Sequence, residues 1–380
     1  MVLNPRASLG PFFRPKGRGI KPQKIVKNTT IHQIAKALGI DSSTVSRALN
    51  DSDRVKQETK ESVLEKAEEL GYTRNILASN LRRNKSGTIG VVVPRISRYF
   101  FSSTIAGIEE VAYKSGYNVI ICQSLEQLER ERKIIENLIL NRVDGVLISV
   151  SMETENGPHL AECIEKGTPL VFFDRHVQAL ENTGKVLIDD TLGGFEATEH
   201  LIRKGCRKIA HFSGPQQLEI YKNRLRGYKL ALEKYNFPYQ EDLILTSRLM
   251  ESDGREMARM LLEGPEEVDG IFSANDVAAI GAMKYLKSAG KHIPGDIAIV
   301  GFSNEPISEV IEPSLTTVDQ SGERIGKLAC SLLLDKISKK DTLVEDKTIV
   351  LNPKLIERDS TKKLQDTSSA GTEAEKIGSD

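Results

Sequence analysis

The stretch Thr29–Asn50, TTIHQIAKALGIDSSTVSRALN, decides how the rest of the chain is read. Ile31, Ile34, Ala35 and Leu38 recur at helical spacing, and Gly39 stands just after the last of them. Asp41 or Ser42 then offers a cap for a second helix, whose Val45, Ala48 and Leu49 turn toward the first. Ala35 is small where the two helices must approach closely, and Gly39 accepts the positive φ of a tight turn. The pattern predicts a helix-turn-helix.

Ser42, Ser43, Thr44, Ser46 and Arg47 lie on the outward side of the second helix. Short hydroxyls and a guanidinium reach base edges and phosphates when such a helix lies in a major groove. A merely solvated face is the competing reading, but a surface chosen for stability favours Glu, Lys and Ala over Ser and Thr. These residues therefore point to double-stranded DNA as a partner.

Charge is distributed to match. The 380 residues have a formal net charge of zero, yet residues 1–86 carry 17 Lys and Arg against 8 Asp and Glu, a surplus of +9 that the remainder offsets with −9. A basic head suits a phosphate backbone, and an acidic body discourages unspecific DNA binding by that body. The four cysteines are far apart and show no metal-ligand spacing, so buried thiols in a reducing cytoplasm are expected, without metal or cofactor. No apolar run reaches the roughly 18 residues that would span a bilayer, and no signal core is seen at the N-terminus.

Residues 1–28 hold seven basic and no acidic residues among Pro and Gly, and are expected to be a disordered tail. Residues 29–72 form the headpiece, closed by a third helix from Gln57 on which Val63, Leu64, Ala67 and Leu70 make an apolar stripe ended by Gly71. Residues 73–86 read as a basic linker with helical tendency, holding Ile76, Leu77, Ala78 and Leu81. From residue 87 to 360 the pattern alternates strands and helices. Strands are expected at 89–94, 118–122, 145–150, 169–174, 186–189, 208–214, 243–247, 270–275 and 297–302. The helices between them imply parallel sheets covered on both faces, hence an α/β fold. Two successive sets of this kind suggest two lobes, with a ligand cleft at the carboxyl ends of the strands. Residues 361–380 lack apolar periodicity and are expected to be disordered.

Over residues 30–358 the chain resembles the LacI/GalR family of bacterial transcription regulators. The resemblance rests on TIHQIAKALGIDSSTVSRALN, ELGY (69–72), ILASNLRRNKSGTIGVVVP (76–94), LVFFDR (170–175), FSANDVAAIGAMKYL (272–286), IPGDIAIVGFSN (293–304) and PSLTTVDQ (313–320). It implies a cytoplasmic homodimer with a body like a periplasmic sugar-binding protein, two lobes joined by three crossovers, and a pseudo-palindromic operator bent by paired hinge helices. Carried over residue by residue, base-reading positions fall on Ser42, Ser43 and Arg47. Phosphate and anchoring positions fall on Thr30, Thr44, Ser46 and Asn50. Leu81 matches the intercalating leucine, and Ala78 the small residue of the hinge helix.

In the cleft the resemblance places effector contacts on Phe101, Asp174, Arg224 and Asn275, with Arg226 leaving the arginine assignment open. Carboxylate, amide and guanidinium suit a polyol, while an aromatic ring suits the apolar face of a sugar. Asp174 and Asn275 have a plainer reading as helix caps after a strand. Two departures stand out: Arg98 and Tyr99 replace a usual Asn-Pro, and Ser303 stands where sugar-responsive members often carry Asp. The effector expected is thus a sugar, a sugar phosphate or a sugar acid. The helices at 104–115 and 324–336 are expected to supply a dimer face. A solute-binding protein of a transport system is the alternative. An enzyme is not expected, since no P-loop, GxSxG or HExxH motif is present.

Overall fold

The computed structural model describes residues 29–72, 86–339 and 347–362, which fall into two units. The stretch before residue 29, most of the linker with Ala78 and Leu81, and the tail beyond 362 lie outside the described residues.

The first unit is a three-helix headpiece of α1 (Ile31–Leu38), α2 (Ser42–Leu49) and α3 (Gln57–Glu69). Gly39 ends α1 at φ 67°, the left-handed conformation the turn requires, and Asp41 rather than Ser42 takes the cap position of α2. Ile34, Ala35, Val45, Ala48, Val55, Val63 and Ala67 form its core. Thr29 Oγ1 donates to Leu70 O at 2.6 Å and ties the start of the unit to the end of α3. Leu64 does not join the stripe expected of it. It is exposed, because successive helical residues point about 100° apart and Val63 takes the inward place.

The second unit holds two six-stranded sheets. Sheet one contains β1 (Thr88–Val93), β2 (Asn118–Gln123), β3 (Gly145–Ile148), β4 (Leu170–Phe173), β5 (Gly184–Ile188) and β11 (Thr348–Leu351), in the order β11-β5-β4-β3-β1-β2, all parallel. Sheet two contains β6 (Ile209–Ser213), β7 (Ile244–Thr246), β8 (Gly270–Ser273), β9 (Ala298–Phe302), β10 (Thr316–Asp319) and β12 (Lys354–Ile356), in the order β12-β10-β9-β8-β6-β7. Only β12 runs antiparallel to its neighbour. Central strands such as β3, β4 and β8 are buried at every residue, as sheets covered on both faces demand.

The lobes are not simply successive. The chain crosses from β5 into α7 (Asp190–Arg203) of the second lobe. It returns after β10 through α12 (Gly322–Ser338), which packs on β3, β4 and β5, then crosses a third time between β11 and β12. The remaining helices are α4 (Tyr99–Lys114), α5 (Leu128–Leu140), α6 (Pro158–Glu165), α8 (Glu219–Lys234), α9 (Glu251–Glu263), α10 (Asp276–Ser288) and α11 (Ile307–Val310). A further correction concerns the C-terminus. Thr361 is fully buried and meets Thr316 Oγ1 and His200 Nε2, each at 2.8 Å, so the body extends past residue 360.

Close helix crossings define the outer layers. A Cβ on Gly194 of α7 would lie 2.2 Å from Arg224 O of α8, and one on Gly227 would lie 2.1 Å from Thr191 O. Only glycine fits at such separations. The same device joins α4 to α12, where Gly326 meets Thr104 O. The two helices expected to form a dimer face are therefore spent largely on each other and on the first sheet, with Ile325, Ala329, Leu332, Leu333 and Ile337 all buried.

One buried imidazole makes the body sensitive to acid. His211 is fully buried between Phe272 and Tyr228, with ring centroids 4.6 and 5.4 Å away and Nδ1 3.0 Å from Phe272 O. Burial, the largest influence, pushes its pKa down to about 4. The unfolded chain then binds the extra proton first, so stability is fully present above about pH 6.5 and is lost as pH falls toward 4, by up to roughly 3 kcal/mol. Urea midpoints across this window are expected to fall less steeply in His211→Phe than in the native protein. Parallel curves would remove His211 as the cause.

Candidate functional site

Two sites take shape, one in each unit. On the headpiece, α2 presents Ser43, Arg47 and Asn50 as exposed residues, while Ser42, Thr44 and Ser46 are half-buried. Ser42 Oγ lies 2.9 Å from His32 Nδ1, so its hydroxyl already has a partner on α1. Asn50 Nδ2 donates to Ser46 O at 2.6 Å and closes the end of the helix. Thr30 caps α1, its backbone N–H donating to Gln33 Oε1 at 2.8 Å. What remains turned to solvent is the guanidinium of Arg47, beside a hydroxyl and an amide, which is donor and acceptor chemistry suited to base edges.

In the body, a cavity of about 630 Å³ lies where the strands of both sheets end. Phe101, Asp174, Arg224, Asn275 and Ser303, named from sequence on five different elements, all line it. Asp174 follows β4 at φ 61°, with Ser149 Oγ donating to its Oδ2 at 3.4 Å. Burial holds its carboxyl above the usual range, against the pull of Arg175 and Arg224. Asn275 does what the plainer reading expected: its Oδ1 accepts from Ala278 N at 2.8 Å and its Nδ2 donates to Leu249 O at 3.0 Å. One amide hydrogen and one lone pair remain for the cavity it faces.

Arg224, rather than the exposed Arg226, enters the cleft. Its Nε donates to Asp190 Oδ1 and its Nη1 to Ala274 O, both at 2.8 Å, and the guanidinium stacks 3.7 Å over the Phe302 ring. Asp190 is a partner the sequence reading missed; its neighbour Asp189 takes no part in that pair. Asp189 instead caps α7 by accepting from Leu192 N. Burial and the nearby Asp174 push Asp190 up to about 7, despite its bond to Arg224.

Three further residues emerge only from the structure. Arg175 is buried and pairs with Glu126 at 2.8 Å, and its Nε, without a hydrogen-bond partner, lies 3.9 Å from Asp174 Oδ2. Gln320 lines the cavity at the crossover after β10. Asp276, fully buried, accepts from Thr317 Oγ1 at 2.6 Å, Glu305 N at 2.7 Å and Ser308 Oγ at 2.9 Å, and so fixes the loop carrying Ser303. All three lie in stretches that carried the family resemblance, Arg175 in LVFFDR, Asp276 in FSANDVAAIGAMKYL and Gln320 in PSLTTVDQ, but nothing in those stretches gave their roles.

Known proteins show the same two parts in the same order. Residues 30–75 match the bacterial regulatory proteins of the lacI family, and residues 198–361 match a periplasmic binding protein-like domain. The chain is 35% identical over 334 residues to the ribose operon repressor of Halalkalibacterium halodurans, covering 88% of this chain and 97% of that one. The chain belongs to the LacI family. It is also 33% identical to catabolite control protein A of Priestia megaterium, over 88% of this chain and all of that protein. Among solved structures, a CelR regulator in complex with cellobiose is similar at 29% identity, with a TM-score of 0.67 over 88% of this chain and all of that one. The lac repressor dimer bound to operator shares the fold at 24% identity, with a TM-score of 0.77 over 88% of this chain and 99% of that one. This LacI-family chain is thus a transcriptional regulator and not an enzyme. The transport alternative falls away, because a solute-binding protein has no use for the headpiece. Among the described residues no helix is long and apolar enough to cross a membrane, and no cluster of His, Cys, Asp and Glu is arranged for a metal ion.

Proposed function

We propose that the protein is a homodimeric repressor that reads a pseudo-palindromic operator through Ser43, Arg47 and their neighbours on α2, and that a carbohydrate-class effector in the body cavity controls it. The observation that carries this reading is the polar cavity between two lobes, in a chain that also bears a helix-turn-helix. A ligand touching both lobes binds one arrangement of them better than another, and that difference in affinity is all that is needed to shift the DNA-competent population. Support for repression comes from the relatives, which include a ribose operon repressor and the HTH-type transcriptional repressor PurR of Vibrio atlanticus.

For the dimer face, the edge strand β2 is a better candidate than α12. Ile120 and Ile121 on it are 40% and 43% exposed, and nearby Tyr113 of α4 is 77% exposed. An apolar edge strand left open invites a second copy.

The decisive experiment is retention of fragmented genomic DNA by the purified full-length protein, followed by sequencing. Enrichment of short palindromes is expected. In Arg47→Ala the enriched sequence is expected to lose one defined base pair, with affinity falling by about 1–3 kcal/mol, and unspecific binding is expected to change little. Equal loss on operator and random DNA would demote Arg47 to a phosphate contact.

A further inference from the structure

The charged groups around the cavity are not evenly used. Arg175 is neutralised by Glu126 and Arg224 by Asp190. Arg95, Arg98 and Arg248 line the same cavity, and among the described residues none of the three makes an ion pair. Arg95 follows β1, Arg98 precedes α4, and Arg248 follows β7, so the first lobe supplies two and the second lobe one. Among the described residues the only side-chain bond of these three runs from Arg98 Nη2 to Met250 Sδ at 3.3 Å, a weak acceptor for a guanidinium.

We infer that the effector is a sugar derivative carrying one anionic group, a phosphate or a carboxylate, which Arg95, Arg98 and Arg248 receive while Asp174 and Asn275 meet the hydroxyls. This rests on the cavity being the effector site. The carboxylates Glu153 and Glu305 line the cavity as well, but neither forms an ion pair with these three, so an anion placed among the guanidiniums would find them open to charge-assisted hydrogen bonds. Because the three come from both lobes, the anion also ties the lobes together.

Glu305 supports the same reading. Its carboxyl, from the second lobe, lies against the backbone N–H of Tyr99 at the start of α4 and within electrostatic reach of Arg98, where burial and Asp276 hold it above the usual carboxylate range. A protein carboxyl thus already borders the positive end of a 16-residue helix next to Arg98, the position an incoming anion would contest.

The test is calorimetry on the full-length protein with ribose 5-phosphate, glucose 6-phosphate and gluconate, beside ribose, glucose and inorganic phosphate. At least one anionic sugar is expected to bind while its neutral parent does not, and the affinity is expected to weaken as potassium chloride is raised. Arg98→Ala and Arg248→Ala are each expected to lower that affinity roughly tenfold to a hundredfold. Glu305→Gln is expected to raise it, a change opposite in sign that general damage to the fold does not produce. Phosphate against carboxylate is decided by which probes bind. A neutral sugar that binds tightly, unchanged in Arg98→Ala and Arg248→Ala, overturns the inference and leaves the cavity as effector site. If no sugar of either kind binds, both readings fall.

Discussion

Arg224→Leu is expected to destabilise the body by about 3–5 kcal/mol, the cost of leaving a buried charge without its partner. The substitution strips Asp190 of its guanidinium, deprives Ala274 O of its donor, and removes the plane stacked on Phe302. The penalty is expected to depend on pH. Asp190 already titrates well above an ordinary carboxylate, and Arg224 is the strongest influence holding it down. Without Arg224 the folded-state pKa rises further, so the variant's deficit is smallest below about pH 7, where Asp190 is largely protonated in both folded proteins. The deficit then grows as pH rises through 7. Urea denaturation at pH 5 and pH 8 measures both terms. Arg224→Leu combined with Asp190→Leu is expected to recover much of the loss, since a buried pair replaced by apolar groups costs far less than a broken one. A single variant as stable as the native protein at pH 8 would mean that the ion pair contributes nothing to folding.

Ile34→Ala is expected to abolish operator binding while leaving the body intact. Ile34 is fully buried in the headpiece core, and truncating such a side chain costs about 2–5 kcal/mol. A core of seven buried residues has little to spare, because a unit of this size rarely exceeds about 3–5 kcal/mol in total. The headpiece should therefore unfold, and DNA retention should vanish. The body melts as before, since its hydrophobic clusters share no residue with the headpiece core. Undiminished operator binding by Ile34→Ala at 25 °C would show either a stiffer headpiece or a different reading surface.

The sequence was most legible where one physical demand dominated. Strands β1, β3, β4, β8 and β9 are apolar runs buried on both faces, and their composition alone announces them. Strand β10 hides because Thr316 and Thr317 look polar, although both are buried and are satisfied by Ser360, Thr361 and Asp276 from elsewhere in the chain. Strands β11 and β12 are short edges with exposed residues and carry little pattern. In the cleft, Asp174, Asn275 and Ser303 at strand ends were readable, and together with Phe101 and Arg224 on helices they do face one cavity. The pairings were not: that Arg224 answers Asp190 rather than Asp174, or that Asp276 anchors the loop of Ser303, depends on contacts between distant segments. Ser42 illustrates the same limit on the headpiece, since helical spacing shows it pointing outward but not that His32 is waiting there.

The threefold crossing has a consequence for how the protein is made. Sheet one is not complete until β11 at residues 348–351 joins β5, and sheet two closes only with β12 just after it. A nascent chain leaving the ribosome has its headpiece complete by residue 72, whereas both lobes wait for nearly the last segment. At about 5–20 residues per second, that delay is on the order of tens of seconds. From their own synthesis until those last strands arrive, β5 and β10 each lack a lateral neighbour, so the half-made body offers open strand edges to chaperones and to other nascent copies while its DNA-reading end is already finished.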